Sequence, residues 1–217
     1  MNIHTHCDAI EKISTPALVI SVFENAQLNN IATVVDRIIG GQIQDLLDSQ
    51  DFHGKRNEIA IIYPHLPNFA QRIILVGLGQ VDQFTSDIVR QASSTAMQQV
   101  RKMGIVAFHT VVHGLETGSV SPQQSAEALV EGALLGAYQF LELKTKPAEN
   151  AEKPENITLI VDNADCEHVM TGAAYGQILA ESTILARNLV NRPGNIANPS
   201  HMAETARNLA KSTSLKC

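Results

Sequence analysis

The chain of 217 residues carries 16 basic and 22 acidic side chains, a formal net charge of -6, and 44% hydrophobic residues. This composition is typical of a globular domain with a sizeable core, and it argues against a broad basic surface for nucleic acids. No apolar run reaches the roughly 18 residues of a membrane span, and the polar N-terminus lacks the apolar stretch of a signal peptide.

The cysteine pattern bears on the compartment. Cys7, Cys166 and Cys217 are widely separated and form no C-x-x-C pair. An odd number of cysteines without a regular framework favours a reducing compartment over secretion. Together with the absence of a signal peptide, this pattern predicts a cytoplasmic protein.

Short apolar, β-branched runs alternate with segments whose apolar residues recur every three or four positions. The runs predict five strands, at residues 17–23, 58–63, 72–76, 105–112 and 157–161. The periodic segments predict helices at residues 28–47 with a bend at Gly40-Gly41, 85–103, 121–143 and 165–192, and a new helix from Asn198-Pro199. Residues 1–11 are expected to be loose. The charged, proline-bearing residues 144–156 predict a mobile surface loop.

The interleaving of strands and helices predicts an α/β fold. Strands that are apolar on both faces suit a sheet that is covered on both sides. We therefore expect a three-layer sandwich with a mixed or mostly parallel sheet and helices on both faces, followed by a long linking helix. The predicted boundary places one domain at residues 1–163, and a link to whatever follows at residues 164–217.

Two candidate sites within the first 80 residues have simple structural explanations. Residues 77–79, Gly-Leu-Gly after a strand, are half of a dinucleotide-binding loop, but the third glycine is absent and a strand-to-helix turn is favoured. His4, His6 and Cys7 are metal-ligand types that stand close together. They lie in a segment expected to be loose, and zinc requires about four ligands in fixed geometry.

Two further candidates lie later in the chain. His109 and His113 would be about 13 Å apart on a strand, which is too far for one ion, so ordinary surface or edge histidines are expected. Asp162, Asp165 and Glu167 precede the long helix, where carboxylates complement the positive end of the helix dipole. No serine stands in a G-x-S-x-G turn, and no cysteine has a recognisable catalytic setting. The residues alone show no active site.

Four stretches occur in a characteristic order: Arg-Ile-Ile-Leu-Val-Gly-Leu-Gly at 72–79, Glu-Gly-Ala-Leu-Leu-Gly-Ala-Tyr-Gln-Phe at 131–140, Ala-Arg-Asn-Leu-Val-Asn-Arg-Pro at 186–193 and Asn-Pro-Ser-His-Met-Ala at 198–203. Through them the sequence resembles the leucyl aminopeptidase family, also called cytosol aminopeptidases, from about residue 16 onward. The family usually has aspartate where Asn188 stands and threonine or a similar residue where Arg192 stands.

The resemblance implies a two-domain aminopeptidase with a non-catalytic, macro-domain-like N-terminal domain that serves scaffolding and hexamer assembly. The catalytic domain would hold two divalent metals, zinc, manganese or magnesium, for two-metal peptide hydrolysis. The family's signature Asn-Thr-Asp-Ala-Glu-Gly-Arg is absent from the sequence. We therefore expect an inactive front part of the enzyme, with no catalytic, cofactor-binding or metal residue. Its long helix and the stub from Pro199 are expected to expose apolar surface toward the catalytic domain.

Two alternatives remain open at this point. One is a standalone macro-like binding module for a nucleotide, ADP-ribose or DNA. The acidic balance weighs against DNA, and the lack of a glycine-rich phosphate loop weighs against ADP-ribose. The other is a natural standalone homologue of the aminopeptidase N-terminal domain.

Overall fold

The computed structural model describes residues 1–143 and 153–213. The strands within them are β1 (Asn2–His6), β2 (Leu18–Phe23), β3 (Ile59–Ile62), β4 (Ile73–Gly79), β5 (Ala107–Val111) and β6 (Asn156–Ile160). The α-helices are α1 (Asn30–Ile38), α2 (Gln42–Asp48), α3 (Ser86–Lys102), α4 (Pro122–Ala137), α5 (Cys166–Asn191) and α6 (Pro199–Thr213). All five predicted strands and the predicted helices are present. Residues 144–152 of the predicted mobile loop lie outside the described residues.

The strands form one mixed sheet in the order β1-β6-β5-β2-β4-β3, in which only β3 runs antiparallel to its neighbour. The expectation that residues 1–11 are loose is wrong, because β1 pairs in register with β6 and Ile3 lies opposite Ile157. Ile3 also packs against the hydrophobic core. One core-packed apolar side chain and backbone pairing with β6 therefore order a segment whose sequence is mostly polar.

Helices cover both faces of the sheet, as predicted. Alternate residues of β2 point into two separate cores. Leu18 and Ile20 pack with α1 and α2, whereas Val19 and Phe23 pack with α3, α4 and α5. Because both faces are covered, every residue of β2 and β4 is buried. This explains why these two strands are continuous apolar runs rather than alternating ones.

The three helices on one face approach each other closely through glycine. A Cβ added at Gly132 of α4 would stand 2.1 Å from the carbonyl oxygen of Arg90 in α3. A Cβ added at Gly176 of α5 would stand 2.3 Å from the carbonyl oxygen of Glu127 in α4. A half-buried ion pair, Arg90 Nε to Glu131 Oε2 at 2.7 Å, lies beside the first contact. The positions of the helices therefore depend on these small residues.

The prediction for the start of α4 is confirmed, whereas the prediction for its end is wrong. Its start is the predicted capping box: Ser121 Oγ accepts the Gln124 N–H, and the Gln124 side chain accepts the Ser121 N–H. Its end was predicted near residue 143 but lies at Ala137. Tyr138 adopts an extended conformation and turns toward α5, which stops the helix.

Candidate functional site

The carboxyl ends of β2 and β5 mark the point where the sheet grows in both directions, since β4 and β5 lie on opposite sides of β2. Open α/β sheets bind ligands outside such a point. In this protein, side chains fill the space outside that point. The rings of Phe23 and Phe84 meet edge-to-face at 5.1 Å, and a Cβ at Gly114 would overlap the Phe84 ring. Asn29 Nδ2 donates to Glu116 Oε1 at 2.9 Å and links the loops beyond.

A cavity of about 570 Å³ lies beside this point, under the loop that follows β2. Its lining consists of Asn25, Ala26, Gln27, Leu28, Thr33, Asp36 and Gln44. The charged group in this lining is the Asp36 carboxylate, which accepts the N–H of Ile43 at 2.7 Å. A lining with an acidic group and no basic side chain does not favour a phosphate-bearing ligand. The cavity therefore gives no support to the nucleotide-binding alternative.

The glycine at 77 allows close backbone packing, and the glycine at 79 adopts a left-handed conformation with φ of 75°. Gly77 is an interior residue of β4 and Gly79 is its last residue. A Cβ at Gly77 would overlap the carbonyl oxygen of Lys55, because the segment after α2 crosses directly over β4. The Gly77 N–H donates to the Glu58 carbonyl oxygen at 2.8 Å. The glycine pattern is thus explained without a bound phosphate.

The histidines are more buried than the sequence suggested. His113 follows β5 and is completely buried, so the expectation of a surface or edge residue is wrong for it. Burial lowers the pKa of the His113 imidazole to about 4. Burial, and then the neighbouring His6 ring with its centroid 6.4 Å away, lower the pKa of His109. Neutral imidazoles are therefore favoured at these two positions.

Two of the three cysteines are paired, although they are widely separated in sequence. Cys7 and Cys166 form a disulfide with their Cα atoms 5.9 Å apart, across 159 residues of sequence. Topology brings them together. Cys7 follows β1, Cys166 follows the neighbouring parallel strand β6, and the carboxyl ends of parallel neighbours lie side by side. Nothing in the local sequence signals this pairing.

The three carboxylates before the long helix gather at its start without building a cluster for metal. Asp165 occupies the N-cap position of α5 without a side-chain capping bond, and Glu167 lies in the first turn, as the dipole interpretation predicts. Within residues 1–143 and 153–213, no three His, Cys, Asp or Glu side chains are placed to hold a metal ion. That the whole chain contributes no catalytic or metal residue stays a prediction.

Tyr138 joins the end of α4 to the end of α5. Its hydroxyl donates to Asn188 Oδ1 at 2.8 Å and accepts from Asn191 Nδ2 at 3.0 Å. The guanidinium of Arg187 lies over its ring, 5.5 Å from the centroid. The two sequence stretches that carry most of the family resemblance thus meet at one side chain. We name these four residues, Tyr138, Arg187, Asn188 and Asn191, the Tyr138 clamp.

The turn between α5 and α6 continues this network. Arg192 Nε donates to Glu142 Oε2 at 2.8 Å, and a second guanidinium nitrogen of Arg192 lies 2.6 Å from His201 Nε2. Asn198 Oδ1 accepts the His201 N–H at 3.0 Å, as predicted for an N-cap. Arg192 departs from the usual family residue, yet it makes specific contacts here.

Replacement of Tyr138 by phenylalanine is expected to loosen the end of α5. It removes two hydrogen bonds but keeps the ring under Arg187, so the free energy of unfolding should fall by about 1–2 kcal/mol. Hydrogen exchange should speed up at residues 185–192 while exchange in the sheet stays the same. The control is Tyr63→Phe at a side chain that is 50% exposed. Equal exchange in both variants would show that the clamp does not hold α5.

The exposed side of α5 carries a stripe of large apolar residues: Tyr175, Ile178, Leu179 and Val190, with exposed fractions of 54%, 60%, 44% and 83%. Their spacing places them on one side of the helix. The helices described in the structure include none that is long and apolar enough to cross a bilayer. A contiguous exposed apolar surface of this kind is typical of an interaction site.

Comparison with protein families and curated proteins identifies relatives across the whole chain. Residues 19–147 match the model of the cytosol aminopeptidase family, N-terminal domain. A probable cytosol aminopeptidase of Alkaliphilus oremlandii is 31% identical over 221 residues, a match that covers 100% of this chain and 44% of the relative. One of Nitrosococcus oceani is 33% identical over 216 residues and covers 97% and 42%. The chain spans less than half the length of these relatives.

Solved structures agree with the fold. A tomato leucine aminopeptidase mutant superimposes with a TM-score of 0.80 at 22% identity, covering 99% of this chain and 43% of the other. The bottromycin maturation enzyme BotP superimposes with a TM-score of 0.70 at 20% identity, covering 94% and 39%. With the family match over residues 19–147, the chain belongs to the cytosol aminopeptidase family and contains that family's N-terminal domain.

Proposed function

We propose that this chain is the non-catalytic N-terminal part of a metal-dependent leucyl aminopeptidase that removes N-terminal amino acids from peptides in the cytoplasm. The observation that carries the proposal is the extent of the matches. The relatives align along the entire chain, but the alignments cover only 44% and 42% of the relatives themselves. In this proposal, residues 1–163 are the scaffold domain and residues 164–217 lead into the catalytic domain.

The partner of this part is its own catalytic domain, which we propose docks on the stripe formed by Tyr175, Ile178, Leu179 and Val190. A monomeric surface seldom leaves such a stripe on a long helix uncovered. The Tyr138 clamp supports this role because it fixes the end of α5, from which the chain continues through α6. The same scaffold is proposed to take part in assembly of a hexamer.

The two divalent ions, zinc, manganese or magnesium, belong in this proposal to the catalytic domain. The described residues do not fit such a pair, since no three His, Cys, Asp or Glu side chains among them are placed to hold a metal ion. The contribution of this chain is therefore to position the catalytic domain. When bound, the ions would supply an activated water for peptide hydrolysis.

The proposal predicts that activity depends on sequence beyond these 217 residues. The purified chain, assayed with Leu-p-nitroanilide and added manganese, is expected to release no leucine above the rate of buffer with manganese. The product of the complete reading frame in which the chain stands is expected to show metal-dependent release. Intact mass of both samples excludes proteolysis as the cause of the difference.

Two results would contradict the proposal. Metal-dependent hydrolysis by the 217-residue chain would place catalytic residues inside it. An inactive product of 23.5 kDa from the complete reading frame would make the chain a standalone domain. In the second case, a titration with ADP-ribose and with duplex DNA at stated salt would test the binding alternatives.

A further inference from the structure

The disulfide joins the two most sequence-distant neighbouring parts of the fold. Cys7 lies one residue after β1, and Cys166 is the first residue of α5. Their Cα separation of 5.9 Å lies within the usual range for a bonded pair, so the sulfurs meet without movement of the backbone. Both residues are half-buried, and both pack against the edge of the larger core. Both cysteines therefore lie at the periphery of the core rather than in its interior.

We propose that Cys7 and Cys166 are a reversible thiol–disulfide pair that fastens β1 to α5 when oxidised and releases it when reduced. Disulfides in reducing compartments are mostly transient, and the inference rests on the cytoplasmic location proposed above. A half-exposed pair in such a compartment exchanges with small thiols rather than staying permanently closed. This inference stands apart from the aminopeptidase activity, since it concerns only the attachment of the first strand.

The exchange balances with a small disulfide such as oxidised glutathione. The thiolate of one cysteine attacks a sulfur of oxidised glutathione, so that a protein–glutathione mixed disulfide forms, the glutathione S–S bond breaks, and one reduced glutathione leaves. The second cysteine thiolate then attacks the protein sulfur of that mixed disulfide and displaces the second glutathione. The protein loses two protons and two electrons, and one oxidised glutathione becomes two reduced molecules. Reduction is the reverse of these steps.

The strand that the pair controls lies at the edge of the sheet and has one neighbouring strand among those described. β1 is at the edge and pairs only with β6, to which it also connects through the Asn2 N–H and the Glu155 carbonyl oxygen at 2.7 Å. Its residues are only partly buried, unlike those of β2 and β4. When the disulfide opens, fraying of β1 uncovers the edge of β6. The redox state of the pair thus controls whether the sheet has five or six strands.

The test uses the full chain with Cys217→Ser, which leaves Cys7 and Cys166 as its cysteines. The protein is equilibrated in glutathione buffers from fully reduced to fully oxidised, starting from both states. Free thiols are counted by maleimide labelling and intact mass. We expect one reversible transition with the same end-point from either side. Oxidation should raise the melting temperature by on the order of 10 °C, because the bond closes a long loop.

Hydrogen exchange gives the local readout. Amides of residues 2–6 are expected to exchange about tenfold more slowly in the oxidised protein, while amides of β4 change much less. Cys7→Ser and Cys166→Ser, each in the same background, should match the reduced protein in every buffer. The proposal is overturned if the thiols remain free in the most oxidising buffer or the bond survives the most reducing one. Equal exchange of β1 in both states would likewise overturn it.

Discussion

A Gly132→Ala variant is expected to melt at a lower temperature than the wild-type protein, although helix propensity alone predicts the opposite. Alanine in place of an interior helical glycine favours the helix by about 1 kcal/mol. The added Cβ, however, would stand 2.1 Å from the Arg90 carbonyl oxygen, which belongs to the backbone of α3 and cannot rotate away. The two helices must separate, and the core between them loses contacts.

The net loss is expected to be about 2–4 kcal/mol of the free energy of unfolding, or roughly 5–15 °C in the melting temperature. Gly176→Ala should behave alike, because its Cβ would meet the Glu127 carbonyl oxygen at 2.3 Å. Gly194→Ala is the control, since nothing lies within 4 Å of its Cβ position. A rise in melting temperature for Gly132→Ala would show that α3 and α4 adapt freely.

The second large effect is a loss of stability at mildly acidic pH that originates at His113. Burial lowers the folded pKa of His113 to about 4 from its ordinary value of 6.5. Between these two pH values the unfolded chain binds a proton that the folded chain does not, so acidification favours unfolding. The contribution of this group is fully present above pH 6.5 and is lost as the pH falls toward 4. Its total is roughly 3 kcal/mol.

His113→Leu should remove this part of the pH dependence. Neither ring nitrogen of His113 has a hydrogen-bond partner within the described residues, so leucine leaves no partner unpaired. Denaturant unfolding at pH 8 and pH 5 is the measurement. The wild-type protein should lose about 2 kcal/mol more than the variant over that interval. His4→Leu, at an exposed position, controls for removal of a histidine. Parallel pH profiles of wild type and His113→Leu would refute the assignment.

Periodicity and end signals were enough to predict the layers of the fold. The five predicted strands are short, mainly apolar runs, and the start of α4 has both residues of its capping box. Both signals depend on residues that are close together in the chain, so a single sequence is enough to recognise them. The missed strand β1 shows what such local signals cannot predict. Its sequence is mostly polar, with Ile3 followed by His4, Thr5 and His6, and it forms a strand through pairing with β6. Tertiary contact, not propensity, makes that segment extended.

The features most relevant to function are the ones that join distant parts of the chain. The disulfide spans 159 residues, and Tyr138 reaches Asn188 across 50 residues. Neither contact follows from spacing, since the disulfide depends on which strands become neighbours and the Tyr138 contact depends on how α4 packs against α5. His113 was misjudged for the same reason: its position beyond β5 is local, but its burial comes from the packing around it. The apolar stripe on α5 agrees with the expectation that this helix exposes apolar surface.

The pairing of β1 with β6 has a consequence for the order of events during synthesis. β1 leaves the ribosome first, but its partner begins at Asn156, opposite Asn2. At about 5–20 residues per second, the first strand waits roughly 10–30 s before its neighbour exists. The strands from β2 to β5 can pair with one another during that interval, because all four have been synthesised before β6. The sheet therefore closes at the end that was made first, only after nearly all of the domain has emerged.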